Sequence, residues 1–174
     1  HPSASGHRPD VVVRDEAGIY HEQTLRRGLE EQHYDRELRI VVLSVPGAGI
    51  GNIDEETVKY AADGAQGSSW FQGSDVGSPV DGTVLFVVAP ESHWVRCYAA
   101  KDLRLSADKR EAIENAAGSH YAQDDWDGVA VAMGQQLATY IGSDSGNGTM
   151  MWVVGAVLAF MAGSGWLAFY IWRG

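Results

Sequence analysis

The residues of this sequence that could most readily do chemistry are carboxylates near predicted turns. Asp81 precedes an apolar run, and a second acidic group, Asp124, Asp125 and Asp127, follows His120. Carboxylate oxygens are the preferred ligands of hard cations such as Ca²⁺ and Mg²⁺, so either place could hold one. A tight turn at the first place, and a solvated turn with a helix cap at the second, explain the same residues without a ligand.

Other motifs expected of enzymes are incomplete in this chain. The His21-Glu22 pair is not followed by the second histidine that a zinc protease needs. Glycines within 47–51 follow a predicted strand, but they complete neither the dinucleotide-binding nor the phosphate-loop spacing. The single cysteine, Cys97, excludes an intrachain disulfide and a multi-cysteine zinc site, and we predict that it packs in the core. No catalytic residue and no cofactor is therefore predicted from motifs.

Charge is divided unevenly along the chain. Of the 13 Lys and Arg residues 12 precede Met150, as do all 23 Asp and Glu residues, which gives that part a charge of −11. An acidic domain of this kind lacks the basic surface that nucleic-acid binding requires. Anionic lipid headgroups would also repel it, so any membrane attachment must depend on apolar burial.

The C-terminal segment supplies that apolar burial. Residues 150–172 contain no charge and no proline. As a helix they would be roughly 35 Å long, which is enough to cross a bilayer core of ~30 Å. Trp152 lies near one end, and Tyr170 and Trp172 lie at the other, where aromatic rings favour the headgroup level. The segment is predicted to be one transmembrane helix in the lipid bilayer, anchored at the interfaces by these three residues.

Small residues recur along the predicted membrane helix. Gly155, Ala159 and Gly163 are spaced by four, which places them on one face. Such a face lets a second helix approach closely, so it predicts contact with an integral membrane protein complex. The alternative is that Gly and Ala are simply common in membrane helices.

The flanking charges predict the orientation in the membrane. Arg173 is the one basic residue near the apolar segment, and it lies on its C-terminal side. The positive-inside rule then predicts a single-pass plasma-membrane protein with a cytoplasmic C-terminus and an extracytoplasmic N-terminal domain. Because the sequence begins with His1 and not with Met, we expect that a signal peptide was removed.

The preceding part of the chain alternates between predicted strands and helices. Apolar runs predict strands at 11–13, 38–45, 83–89 and 94–99, and helical periodicity predicts helices at 21–33, 55–62, 106–120 and 129–141. Asp54 and Asp127 are predicted to cap the second and last of these helices, and 64–79 is predicted to be a long loop. The pattern predicts an α/β sandwich with a small, partly parallel sheet over residues 11–141. Residues 1–10 are predicted to be flexible, and 142–149 are predicted to be a linker.

Several short motifs together resemble the TPM domain family. They are Asp15-Glu16-Ala17-Gly18-Ile19 after a valine run, the apolar strand 40–45, the segment 81–90 beginning Asp-Gly, and Asp124-Asp125-Trp126-Asp127-Gly128 before the final helix. The chain looks most like the membrane-anchored TPM-like proteins of Corynebacterium and related actinobacteria. The resemblance implies an α/β/α sandwich in the cell envelope, followed here by the transmembrane helix.

The resemblance also implies candidate functions. Some TPM proteins are acid phosphatases or bind calcium, and others assist the assembly or maintenance of membrane complexes. The Gly-Tyr-Gly turn common in the family is replaced here by Ala99-Ala100-Lys101-Asp102, which removes glycines and adds a cation near the acidic site. Asp81 and Asp125 are the carboxylates that the resemblance leaves as metal ligands, with calcium as the ion.

Taken together, these features predict a non-enzymatic accessory or assembly subunit of a membrane protein complex. By the resemblance, the preferred host is the actinobacterial respiratory reductase–oxidase supercomplex of the electron transport chain. The alternatives are a regulator of a cell-wall hydrolase or division complex, and a metal-dependent acid phosphatase that uses Asp81 and Asp125.

Overall fold

The structure, a computed structural model, describes residues 6–49, 51–62, 70–72 and 75–143. The strands are β1 Asp10–Asp15, β2 Arg39–Ser44, β3 Phe71–Gln72, β4 Asp75–Pro79, β5 Thr83–Ala89 and β6 Trp94–Ala99. The helices are α1 Glu22–Glu30, α2 Ile53–Ala62, α3 Ala107–Asn115, α4 Gly118–Ala122 and α5 Trp126–Ile141, with a short 3₁₀ turn at Lys101–Leu103.

Four strands form the main sheet in the order β1-β2-β5-β6. The strands β1, β2 and β5 are parallel, and β6 is antiparallel to β5. Val42 of β2 lies between Val13 of β1 and Phe86 of β5, so β2 is a central strand. Both of its faces are covered, which is why its residues 40–43 are all apolar and do not alternate with polar residues.

Helices and a hairpin cover the two faces of this sheet. On one face, α1, α3 and α5 pack their apolar side chains, among them Leu25, Ile113 and Met133, against the sheet. On the other face, Ile53 of α2 and Phe71 of β3 are buried in a second cluster. The fold is a mixed α/β fold with a four-stranded sheet and helices, which confirms the fold class at that level.

Two predicted elements differ from the observed ones. The predicted single helix over 106–120 is divided into α3 and α4. After α3 ends at Asn115, the N–H of Ala117 donates to the carbonyl of Glu114, three residues earlier, which forms a tighter turn between the two helices. The predicted loop over 64–79 contains the antiparallel hairpin of β3 and β4 in its described part. Trp70 and Phe71 are buried in this segment.

Both predicted helix caps are wrong. The N–H of Asp54 donates to the side chain of Asn52 at 3.0 Å, while the Asp54 carboxylate accepts from the hydroxyl of Tyr98. The last helix begins three residues earlier than predicted, and the carboxylate of Asp125 caps it. Asp127 therefore lies inside the first turn of α5, where it contacts a different element.

The segment that precedes β1 and the end of α5 meet at Tyr34. The backbone of Tyr34 exchanges hydrogen bonds with His7, at 2.7 and 2.8 Å, and also forms a bridge with Gly142. The next residue, Asp35, donates its N–H to the carbonyl of Ile141 at 2.9 Å. The first and last described segments are thereby joined at the edge of the sheet where β1 begins, which we name the amino edge.

Candidate functional site

The opposite edge of the sheet, which we name the carboxyl edge, is where the parallel strands end. β1 ends at Asp15, β2 ends at Ser44 and β5 ends at Ala89. Ligands of open α/β sheets usually bind just outside this edge, because loops and helix N-termini converge there. The polar side chains at this edge therefore form the candidate functional site.

Asp15 organises the loop that leaves β1. Its carboxylate accepts hydrogen bonds from the N–H groups of Ile19 and Tyr20, at 2.9 and 3.0 Å, and from the hydroxyl of Ser44 at 2.7 Å. Ser44 in turn accepts from the N–H of Ala17 at 2.9 Å. Burial by itself would raise the pKa of Asp15, but these hydrogen bonds stabilise the ionised form and lower the pKa below its ordinary value.

A histidine–aspartate pair joins this loop to α5. His21 Nδ1 lies 2.8 Å from Asp127 Oδ2, and the N–H of His21 donates to Asp127 Oδ1 at 2.9 Å. The imidazole is 83% exposed, whereas the carboxylate is only 14% exposed. Asp127 thus connects the start of α1 to the first turn of α5, across 106 residues of sequence.

A second such pair forms the N-terminus of α5. His120 Nδ1 lies 2.9 Å from Asp125 Oδ2, and the other carboxylate oxygen of Asp125 accepts from the N–H of Gly128 at 3.2 Å. The bond from His120, followed by the bond from Gly128, lowers the pKa of Asp125. A Cβ at Gly128 would lie 2.2 Å from Asp125 Oδ2 and 2.4 Å from His120 Nδ1, so only glycine permits this arrangement.

Two tyrosine hydroxyls near the α5 N-terminus are buried. Those of Tyr20 and Tyr121 have no hydrogen-bond partner among the residues that the structure describes. Burial raises the pKa of Tyr20, and the negative charges of Asp15 and Asp127 raise it further. The ring of Tyr121 packs edge-on against Trp126 at 5.0 Å. Both phenols are therefore neutral at physiological pH, and neither can act as a base there.

The structure does not bring together the two predicted metal ligands. Asp81 lies in the turn before β5 at the amino edge, where the next residue, Gly82, accepts a hydrogen bond from the N–H of Arg39. Asp125 lies at the carboxyl edge, because the first turn of α5 is bound to the loop after β1 through Asp127. Within the described residues there is no group of three or more His, Cys, Asp or Glu side chains that could hold a metal ion.

Cys97 is buried in β6 and is 3% exposed, which confirms the prediction that it packs in the core. Burial raises the pKa of its thiol, and the charge of Glu114 raises it further. The thiolate is the nucleophilic form of cysteine, so this side chain is poorly suited to catalysis.

The predicted membrane features lie beyond residue 143 and thus outside the described residues. They are the helix face of Gly155, Ala159 and Gly163, and the interface anchors Trp152, Tyr170 and Trp172. In the part of the chain that is described, no helix is long and apolar enough to cross a membrane.

Comparison with known protein families shows to which family the chain belongs. The model of DUF5129, described as a domain of unknown function, matches residues 13–173, which is almost the whole chain. The protein belongs to the DUF5129 family. The DUF5129 match includes both the α/β domain and the apolar C-terminal segment, whereas the relation to TPM proteins stays a prediction. No curated protein matches this DUF5129 chain.

Two solved structures are partly similar to this DUF5129 protein. The N-terminal domain of the cg2496 protein from Corynebacterium glutamicum is 20% identical, with a TM-score of 0.47 over 77% of this chain and 82% of that chain. The BA42 protein from the psychrophilic bacterium Bizionia argentinensis is 16% identical, with a TM-score of 0.45 over 74% of this chain and 88% of that chain. At these scores the likeness is partial and assigns no function.

Proposed function

We propose that this DUF5129 protein is a non-enzymatic accessory subunit of a membrane protein complex. In this proposal a TPM-like α/β/α sandwich lies on the extracytoplasmic side of the plasma membrane. Residues 142–149 link it to a single transmembrane helix over 150–172, with the C-terminus in the cytoplasm. The helix face of Gly155, Ala159 and Gly163 contacts the host complex.

The non-enzymatic part of the proposal rests on the hydrogen bonds that the carboxylates of the carboxyl edge make. There the carboxylate of Asp15 accepts three hydrogen bonds from its own loop and from Ser44. Asp125 and Asp127 each bind a histidine and a backbone N–H. These carboxylates connect loops and helices to one another, as structural capping groups do, and this supports the non-enzymatic part of the proposal.

The extent of the DUF5129 match supports the membrane part. The match reaches residue 173, so the charge-free segment 150–172 belongs to the same family unit as the domain. An apolar segment of this kind next to a small acidic domain is well suited to holding that domain beside a membrane partner. By the TPM resemblance, our candidate host is the actinobacterial respiratory reductase–oxidase supercomplex, and a cell-wall hydrolase or division complex is the competing host.

The test is purification of the tagged full chain from native membranes in a mild detergent, followed by mass spectrometry of its companions. Stoichiometric cytochrome subunits would support the respiratory host, and envelope hydrolases would support the competing one. A chain that purifies without a stoichiometric companion would refute the accessory-subunit proposal. Hydrolysis of p-nitrophenyl phosphate that needs Ca²⁺ or Mg²⁺ and is lost in Asp81→Asn would refute its non-enzymatic part.

The small-residue face has its own test in the same purification. Gly155→Leu and Gly163→Leu would block close helix approach, and a loss of about 1.4 kcal/mol would lower companion recovery roughly tenfold. Val157→Leu is the matched control, because position 157 points away from this face of a helix. Equal recovery from all three variants would exclude this face as the contact.

A further inference from the structure

The chain leaves the domain at the amino edge. There the carbonyl of Ile141 accepts from the N–H of Asp35 at 2.9 Å, and the N–H of Ser143 donates to the carbonyl of His33 at 3.1 Å. Residues 144–149 separate Ser143 from the apolar segment that the proposed function places in the membrane. Even a fully extended chain of that length spans at most about 25 Å. The amino edge is therefore the edge that is tethered close to the bilayer.

A groove of about 440 Å³ lies beside this exit of the chain. Tyr140 and Ile141 of the last turn of α5 line it, together with the cationic side chains of Arg36, Arg104 and Lys109. We name these three cationic residues the basic corner. Cations are thereby collected at the point of the domain from which the tether starts.

Several carboxylates of the amino edge are already bonded within the domain. Asp102 is the one acidic residue among the described residues that line the groove, and its carboxylate accepts a backbone N–H of the turn before β5 at 3.1 Å. Asp35 pairs with Arg36 at 2.6 Å, and Asp10 pairs with Arg39 at 3.2 Å. These carboxylates are thus engaged with groups other than Arg104 and Lys109.

Arg104 and Lys109 are exposed, and neither makes an ion pair with a residue that the structure describes. Arg104 ends the 3₁₀ turn in the left-handed conformation, with φ 55°, and its N–H donates to the carbonyl of Lys101 at 3.1 Å. The ammonium of Lys109 lies 5.3 Å from the centre of the Tyr140 ring, which connects α3 to the last turn of α5. Two positive charges are therefore held beside the exit and are available to an external anion.

The carboxyl edge, by contrast, is acidic, and it is far from the exit. It carries Asp15 and the group of Asp124, Asp125 and Asp127. α5 has 16 residues, so its two ends are about 24 Å apart. The Debye length at physiological ionic strength is only about 8 Å, so charges at the start of α5 are largely screened from a surface near its end. The negative net charge of the domain therefore does not prevent the amino edge from approaching an anionic surface.

We infer that the basic corner binds the phosphate groups of anionic lipids in the membrane that holds the chain. A guanidinium such as that of Arg104 matches two phosphate oxygens, and the ammonium of Lys109 adds a point charge. The membrane is the source of phosphate because the tether keeps its surface within reach of this corner. The inference rests on the proposed function, since it requires residues 150–172 in the bilayer, and it adds the orientation of the domain, with the carboxyl edge directed away from the lipids.

Energy transfer between the domain and the lipids of a vesicle tests this orientation on the full chain. A donor dye is attached to Lys101→Cys at the amino edge or, as the matched control, to Glu91→Cys in the turn after β5 at the carboxyl edge. The native Cys97 is buried and does not compete for the dye. The vesicles carry an acceptor lipid and consist of phosphatidylcholine with or without phosphatidylglycerol. We expect phosphatidylglycerol to raise the transfer from position 101 and not from position 91, and about 1 M salt to abolish the rise, because the Debye length is then only ~3 Å.

Variants of the basic corner complete the test. A cation beside an anionic membrane strengthens binding roughly fivefold, so Arg104→Gln and Lys109→Gln should each lower the apparent affinity for phosphatidylglycerol by about that factor. This affinity is obtained by titrating the phosphatidylglycerol content of the vesicles. Arg14→Gln is the control, because it removes an equal charge at the carboxyl edge and should leave the affinity unchanged. The near-ultraviolet circular dichroism of each variant verifies that it is folded.

The outcomes separate this inference from the proposed function. Equal transfer from position 101 in both kinds of vesicle, or a rise at both positions, overturns the inference and leaves the accessory role standing. A rise that persists unchanged in Arg104→Gln and Lys109→Gln likewise overturns it. A chain that does not float with the vesicles overturns the inference together with the membrane part of the proposed function. A rise at position 101 alone that is weakened in both variants supports the inference.

Discussion

Replacement of Asp15 tests the organisation of the carboxyl edge most directly. In Asp15→Asn, the side-chain oxygen can still accept from Ser44 and Ile19, which donate to Oδ1 at 2.7 and 2.9 Å. The new amide NH₂ then faces the N–H of Tyr20, which donates to Oδ2 at 3.0 Å in the wild type. One partly buried N–H loses its acceptor, and two remaining bonds lose their charge. We expect the free energy of unfolding to fall by about 2 kcal/mol at pH 7.

The pH dependence of this difference has a definite sign. The folded-state pKa of Asp15 is lowered, so its stabilisation is present in full above the unfolded-state pKa of about 3.9. The stabilisation is lost as the pH falls through the folded-state pKa. Asn does not titrate in this range. The difference in unfolding free energy between wild type and Asp15→Asn should therefore be constant near neutrality and should shrink below about pH 4.

Urea unfolding of the full chain in detergent, followed by tryptophan fluorescence at several pH values, measures both effects. Asp10→Asn is the matched control. Its carboxylate is 67% exposed and lies 3.2 Å from Arg39 Nε, so its loss should cost less than about 0.5 kcal/mol. Equal effects of the two substitutions, or a difference for Asp15→Asn that stays constant down to pH 3, would refute the role assigned to Asp15.

Three further predictions concern the packing around the sheet. Gly28→Ala places a Cβ 2.6 Å from Val131 Cγ2, so we expect a loss of about 1–2 kcal/mol in urea unfolding, and Val131→Ala in the same chain should restore part of it. Ser106→Ala removes the side chain that accepts from Lys109 N–H at 3.3 Å at the start of α3, which should cost about 1 kcal/mol in the same assay. Cys97 should resist alkylation by iodoacetamide at pH 8 until the protein unfolds, because its thiol is buried and its pKa is raised; rapid labelling of the folded chain would contradict this.

The strands of the main sheet were predictable from sequence because burial alone determines them. The apolar residues 40–43 are all completely buried, as a strand covered on both faces requires, and they form the centre of β2. Helical periodicity likewise predicted α1, and its apolar residues Leu25 and Leu29, which are spaced by four, are completely buried. In these elements the local sequence pattern and burial in the tertiary structure both favour apolar residues at the same positions.

The caps and the acidic site were not predictable in the same way. Asp125 and Asp127 are both suitable N-cap residues by residue type. The distinction is tertiary, because Asp127 binds His21 while Asp125 binds His120 and caps α5. The neighbouring glycine, Gly128, was the one local signal, since a larger residue there would collide with the Asp125 cap.

The sequence indicated Asp15 only as part of the TPM-like motif and did not predict its structural role, because its hydrogen-bond partner is distant in the sequence. It binds Ser44, which is 29 residues away, and parallel pairing of β1 with β2 places the two opposite each other. Asp81, by contrast, precedes a parallel strand, so topology places it at the amino edge, away from residues that follow the strands. Once the strand directions are known, Asp15 and Asp81 lie at opposite edges of the sheet and cannot belong to one site.

The junction at Tyr34 determines how a mechanical load would enter this domain. A pull applied to the chain after Ser143 acts first on the hydrogen bonds from Ser143 to His33, at 3.1 Å, and from Asp35 to Ile141, at 2.9 Å. These bonds attach the end of α5 to the segment that leads into β2, so tension passes to the centre of the sheet and does not unwind α5 alone. A domain tethered in this way would resist force applied from its C-terminal side as one unit.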